Sequence, residues 1–218
     1  MLDPRLDLLR LTGLVGIGAT AVLTAADLIM LYTPRPSTAF RVAEIAPALS
    51  RRRVLLGDYL GVFTIPLVLV GLLHIYLRLR PAGWWFAGPP VILLAYTYVL
   101  GAAFHHVVGV LVRSAHADAE TPDVPARTHL LAQEFLRPLY VVFTSTALLG
   151  SLWLFCSLLF GRSGYPSWMA WLSPFITAGA ALLGRRFATG PVAGVLAPAG
   201  HNLAMLVFLL CSTLQLRS

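Results

Sequence analysis

Long apolar runs separated by short polar ones recur along the whole chain, in windows near 12–32, 54–78, 89–112, 129–160, 167–184 and 192–216. A helix rising about 1.5 Å per residue needs about 20 such residues to cross the hydrocarbon of a bilayer. The pattern therefore predicts an all-α, polytopic transmembrane bundle of about six helices, with both termini on one side. Between the first two windows, Pro34 and Pro36 are followed by FRVAEIAPALSRRR, a stretch amphipathic enough to lie along the interface as a short helix. The fifth window is the shortest, and Pro174 inside it predicts a kink. RSAHADAETPDVPAR, between the third and fourth windows, reads as a polar connection, and PAGHN as the opening of the sixth helix. No repeat or shift in composition divides the chain, so residues 1–218 read as a single integral-membrane domain.

Composition removes the soluble alternative. With 58% hydrophobic and 11% charged residues, and a mean hydropathy of +0.79, there is too little polar surface for a water-soluble globule. The formal charge of +7 is carried by arginine without any lysine. Most of these arginines stand at segment ends, where they anchor helices, so nucleic-acid binding is not needed to explain the charge. Odd-numbered connections carry Arg35, Arg41, Arg51, Arg52, Arg53, Arg113, Arg127, Arg185 and Arg186. The opposite side carries Arg5, Arg10, Arg78, Arg80, Arg162 and Arg217, a bias that expects the odd connections in the cytoplasm, with a bacterial inner membrane as the setting. Cys156 and Cys211 lie in apolar stretches without CxxC spacing and read as small core residues. The first apolar run follows Asp3, Arg5, Asp7 and Arg10 with no small-residue cleavage site, so it is expected to remain in the protein.

Against this background the ionisable residues inside the apolar windows stand out, because charge at membrane depth is costly and usually faces a bundle interior. They are Asp27, Asp58, the pair His105 and His106, Glu134, and His201 with Asn202. Counted from the arginine-rich ends, Asp27, Asp58, His106, Glu134 and His201 fall about 8 to 15 Å below one surface. They are expected to form one layer, whereas His74 lies toward the opposite face and reads as structural. Carboxylic acids and histidines in one desolvated place make general acid–base chemistry plausible. Asp58 and Glu134 are the candidate acids, His106 and His201 the candidate bases or orienting partners, and Asp27 a further candidate. Consecutive histidines project about 100° apart on a helix, so His105 and His106 cannot face one atom, and the choice between them stays open. Arg137 is one turn beyond Glu134 and within reach of it or of Asp58.

Plainer readings exist for each. Asp27 near a helix end can bond local backbone or Arg35, Asp58 can pair with the arginines preceding it, and Glu134 can mark the wet start of the fourth helix. Aromatic residues add a second signal: Tyr59, Tyr96, Tyr98, Phe104, Phe135 and Tyr140 lie near the polar layer or deeper. Their ring faces suit a cationic intermediate, and with Asn202 and Arg137 they are the candidate substrate-binding residues. Such a pocket fits protonation of an alkene or epoxide in a lipid, followed by carbocation rearrangement.

AADLIMLYTP, LGDYLGVFTIPLVLVGLLHIYLRLRPAGWW, YVLGAAFHHVVG and LAPAGHNLAMLVFLLCSTL together resemble an uncharacterised bacterial family of small six-helix membrane proteins. The resemblance spans most of the chain and implies no activity. In size, helical membrane architecture and intramembrane acids the chain also resembles the small integral-membrane terpene cyclases and the emopamil-binding sterol isomerases. No signature motif of either group is present, so no residue role is carried over. The leading expectation is thus a membrane-embedded acid–base enzyme, a terpene cyclase or isomerase, whose partners are an isoprenoid-type lipid substrate and membrane lipids. No cofactor and no metal are expected. The alternatives are a proton-coupled transporter or ligand-binding module, and a haem or metal protein, for which neither HExxH nor repeated His spacing is found.

Overall fold

The computed structural model describes residues 4–34, 48–120, 130 and 132–217. Its helices are α1 (Pro4–Leu31), α2 (Arg51–Leu79), α3 (Trp84–Glu120), α4 (Arg137–Phe160), α5 (Pro174–Phe187) and α6 (Gly190–Leu214). No strand occurs among the described residues. Five helices are long and apolar enough to cross a membrane, as in an integral membrane protein. The 14 residues of α5 rise about 21 Å, short of the hydrocarbon thickness.

The fifth segment therefore departs from the expected continuous span. Residues Ser167–Leu172 form a tight 3₁₀ turn, Ser173 is extended at φ −58 and ψ 151, and α5 opens at Pro174. Proline disfavours a helical conformation in the residue before it but suits the first helical position, so Pro174 starts a helix rather than kinking one. The opposite correction applies to PAGHN. Here α6 begins at Gly190, and Pro198 lies inside it with His201 and Asn202 on the next turn. Gly190 has φ +59, a left-handed conformation that glycine adopts freely, and Pro191 follows as the first turn begins. The connection expected after the third window is partly helical, since α3 continues through Arg113 to Glu120. The proposed interfacial helix between the first two spans lies outside the described residues.

Each helix packs on its neighbours in chain order and α6 returns to α1, so the six close a ring. Contact is most extensive between α1 and α2, where a side chain at Gly16 would come within 2.5 Å of the Cα of Gly71. Small residues let helix backbones approach in this way in a membrane, where dispersion and hydrogen bonds replace the hydrophobic effect between helices. The junction of α4 with α5 is the lightest. Hydroxyls within the helices bond the preceding turn, as Thr20 to the Gly16 carbonyl at 2.8 Å and Thr24 to the Thr20 carbonyl at 2.7 Å, which satisfies them without water. Thr97 also reaches across to Thr146, tying α3 to α4 at 2.9 Å.

The first end of the bundle carries both termini, because His74 on α2 bonds the Leu9 carbonyl of α1 and the Ser212 hydroxyl of α6. The second carries Arg51, Arg52, Arg53, Arg185 and Arg186. There Arg53 donates to the carbonyls of Leu28 at 3.0 Å, Ile29 and Tyr32 at the end of α1, where helical carbonyls run out of backbone donors. Arg53 is thus used as a helix cap and does not form the ion pair with Asp58 that the sequence allowed.

Candidate functional site

Three helices meet at Asp27. Its position on the last turns of α1 buries it against α3 and α6, and only 7% of it is exposed. His105 Nε2 stands 3.1 Å from Oδ1, and Asn202 Nδ2 donates to Oδ2 at 2.6 Å. With its Nε2–H directed at the carboxylate, His105 presents Nδ1 as an acceptor. That atom is buried and has no hydrogen-bond partner. Its ring lies flat on α2 at Gly61, where a Cβ would collide with it.

The neighbouring histidine takes the other direction. His106 Nδ1 lies 3.3 Å from Asp58 Oδ2, with the histidine side chain 66% exposed and the aspartate side chain 3% exposed. A side chain at Gly109 would come within 3.0 Å of the same oxygen, so that glycine makes room for the carboxylate. Two Asp–His pairs therefore sit side by side on α3, one turned inward and one outward, as the 100° step between consecutive residues demands.

On the α6 side, His201 packs between Tyr98 and Phe143, at ring-centre distances of 5.8 and 6.0 Å. Phe104 continues this wall, 6.0 Å from Phe143 and 6.2 Å from Tyr140. Tyr98 and His201 are both within electrostatic reach of Asp27. The Tyr98 hydroxyl, His201 Nε2 and Asn202 Oδ1 are buried without partners. Unpartnered buried polar atoms cost stability, so this group of them makes the place the candidate site.

The predicted layer is assembled in part. Asp27, His201 and Asn202 come together, with Tyr98 and Phe104 on the aromatic wall and Tyr140, 48% exposed, at its outer edge, whereas Asp58 and His106 form a separate pair turned outward. Glu134 joins neither group: it is exposed in a π-helical turn, Ala132–Leu136, that leads into α4, and Arg137 beside it is exposed as well. Tyr59 stacks on Phe63 on the outer face at 6.0 Å and is 57% exposed, and Tyr96 also faces outward. Phe135 borders an outer groove with His106. Sequence reasoning overlooked Phe143, although it follows Tyr140 by one turn on the same face. It left His105 undecided, and Gly61, which houses the ring, was the missing clue. Among the described residues, no group of three or more His, Cys, Asp or Glu is placed to hold a metal ion.

A second polar cluster occupies the terminal end. His74 accepts or donates at both ring nitrogens, 2.9 Å from the Leu9 carbonyl and 2.7 Å from Ser212 Oγ. Tyr165 joins the same hydroxyl at 2.9 Å. Arg78 donates to the Ser212 carbonyl at 2.6 Å and to the Gly164 carbonyl, with its guanidinium 4.2 Å from the Tyr165 ring centre. Tyr165, in the connection before α5, has its hydroxyl pushed up to about 12 by burial, against the opposing effects of Ser212 and Arg78.

The chain belongs to DUF6796, a family of unknown function, across residues 7–218. Comparison with curated proteins and with solved structures gives no match.

Proposed function

We propose that this member of DUF6796 is a membrane-embedded acid–base enzyme that moves a proton on a hydrophobic, isoprenoid-type lipid. The observation that carries the reading is that the tilted rings of His201 and Tyr98, 5.8 Å apart, each keep a buried polar atom without a partner, His201 Nε2 and the Tyr98 hydroxyl, on an aromatic wall near the Asp27 carboxylate. Asp27 is fixed by donors from two other helices and supplies a stationary negative charge. One of His201 and Tyr98 then delivers a proton to an alkene carbon, and the other takes a proton from a carbon adjacent to the cation so formed. The rings of Tyr98, Phe104, Tyr140 and Phe143 favour the positive charge that develops between those steps. An isomerase follows directly from this two-proton exchange, and a cyclase follows where the cation is captured by a second double bond of the same chain. The arginine bias supports placing the site nearer the cytoplasmic face of a bacterial inner membrane.

Deuterium incorporation reports the reaction whatever the product is. Membranes containing the protein, supplied with polyprenyl and cyclic isoprenoid lipids in D₂O, are expected to gain carbon-bound deuterium in one lipid class. His201→Gln should lower that gain by about 10²-fold or more, the usual contribution of a positioned acid–base group. Labelling no higher than in membranes lacking the protein would sink the proposal. Proton-coupled transport leaves lipid carbons unlabelled, so the same measurement separates the two readings.

A further inference from the structure

The outer face of α3 passes from hydrocarbon to interface. Trp84 and Trp85 are exposed at its terminal end, the level at which tryptophan settles in a bilayer. About 20 residues cross the hydrocarbon, so a count begun one turn in, at Gly88, ends near Val107. His106, Val107, Val110 and Leu111 therefore straddle the boundary, and with Phe135 they line an open groove of about 250 Å³. Its walls offer carbon and no polar surface, which suits a hydrocarbon chain. Arg113 stands above the groove, since residues 106, 110 and 113 share one helix face. Its side chain is exposed and turns back along the helix, with Nε donating to the Gly109 carbonyl at 3.3 Å. The guanidinium is thereby held within about 5 Å of the hydrocarbon edge, inside the headgroup zone that adds about 5 to 8 Å on each side of a bilayer.

The charges nearby leave Arg113 uncompensated. Asp58 holds His106, while Glu134, on the turn that carries Phe135, and Arg137, at the start of α4, offset one another in net charge. Among the described residues Arg113 forms no ion pair, and its two terminal nitrogens are unbonded. A guanidinium presents a planar fork that matches phosphate oxygens two at a time. We infer that the groove and Arg113 form a site for one phospholipid of the arginine-side leaflet, with its phosphate on the Arg113 fork and the upper part of one acyl chain between Val110 and Phe135. Occupancy involves no chemistry at Asp27, so the site is independent of the acid–base reading.

Native mass spectrometry of the intact chain in detergent, titrated with phosphatidylglycerol, reads the site directly. The wild type is expected to hold one lipid more tightly than the rest. Arg113→Met should weaken that step by about tenfold, the loss expected for a charge-assisted hydrogen bond. Val110→Trp, at a position 41% exposed, fills the groove and should weaken the step as well, whereas Arg137→Met should leave it unchanged. Diacylglycerol, which has the chains without the phosphate, should bind the wild type and Arg113→Met alike. Arg113 and Val110 both face outward, so neither substitution disturbs the core. Unchanged phosphatidylglycerol binding in Arg113→Met overturns the site. An equal loss in Arg137→Met overturns it too, because the attraction would then be a general one between a basic face and anionic lipid. Displacement of the tight lipid by glycerol phosphate would assign Arg113 to a soluble phosphate instead, against the proposal.

Discussion

At the terminal end of the bundle, His74 uses both ring nitrogens, Arg78 bonds two carbonyls and Ser212 serves three side chains. At the arginine-rich end, His105, His201, Tyr98, Asn202 and Asp58 each retain a buried atom without a partner. The two clusters draw on the same ingredients: histidine, tyrosine, formally charged side chains and a small polar side chain on α6. They differ in satisfaction. A network whose members are all paired fixes how α1, α2 and α6 meet, because each bond is worth more than its exchange for membrane. A network with capacity left over sacrifices stability and keeps groups ready for something else. Membrane depth alone therefore does not separate His74 from His105 and His201; the bonding of their ring nitrogens does.

The sharpest way to break this contrast is to exchange the consequences of mutation between the clusters. Asp27→Asn preserves shape but removes the charge, and should reduce deuterium transfer to lipid by about 10²-fold or more, with thermal unfolding in detergent little changed. Full activity in that variant would return Asp27 to a structural role. Arg78→Met should do the reverse. It leaves the carbonyls of Ser212 and Gly164 unpaired, for a loss of about 3 kcal/mol in denaturant titration, while the fraction still folded keeps its specific activity.

Glycine substitutions probe the same difference more gently. Gly61→Ala forces the His105 ring from its seat and should cost about 1 to 3 kcal/mol through overpacking, together with altered His105 nitrogen shifts. Gly18→Ala, where no atom lies within 4 Å of the added methyl, should stay within about 0.5 kcal/mol of wild type. Equal effects at the two positions would show that the ring is not tightly seated.

The last expected effect is alkaline. Tyr165 ionises near 10 when unfolded and near 12 in the fold. Its neutral hydroxyl thus contributes stability that is fully present below pH 10 and is lost as pH rises through 12. Tyrosinate absorbance compared with Tyr165→Phe locates that step, and a Tyr165 ionising at the unperturbed value would mean that the terminal cluster is wetter than its bonds imply.

Periodicity and apolar length made the spans legible, and the cost of charge in lipid pointed to Asp27, Asp58, His106 and His201. Glu134 was misplaced because apolar residues surround it in sequence while the turn that carries it faces outward. Tyr59 and Tyr96 were misplaced for a related reason: proximity along a helix fixes depth but not direction, and in a membrane the outer face is apolar too. Pro174 and Pro198 exchanged their expected roles. A proline starts a helix or is carried inside one according to whether neighbouring helices compensate its missing donor, which the local sequence does not state.

By itself the sequence determined a helical membrane protein, the positions of most spans and the arginine-rich face, since all of these follow from transfer free energies summed along one dimension. The tertiary structure decided the pairings. Asp27 and Asn202 are 175 residues apart and bond at 2.6 Å, and adjacent histidines serve different aspartates because each helix face meets a different neighbour. Which polar atoms remain unpartnered depends on three-dimensional geometry, and that remainder separates one polar cluster from the other.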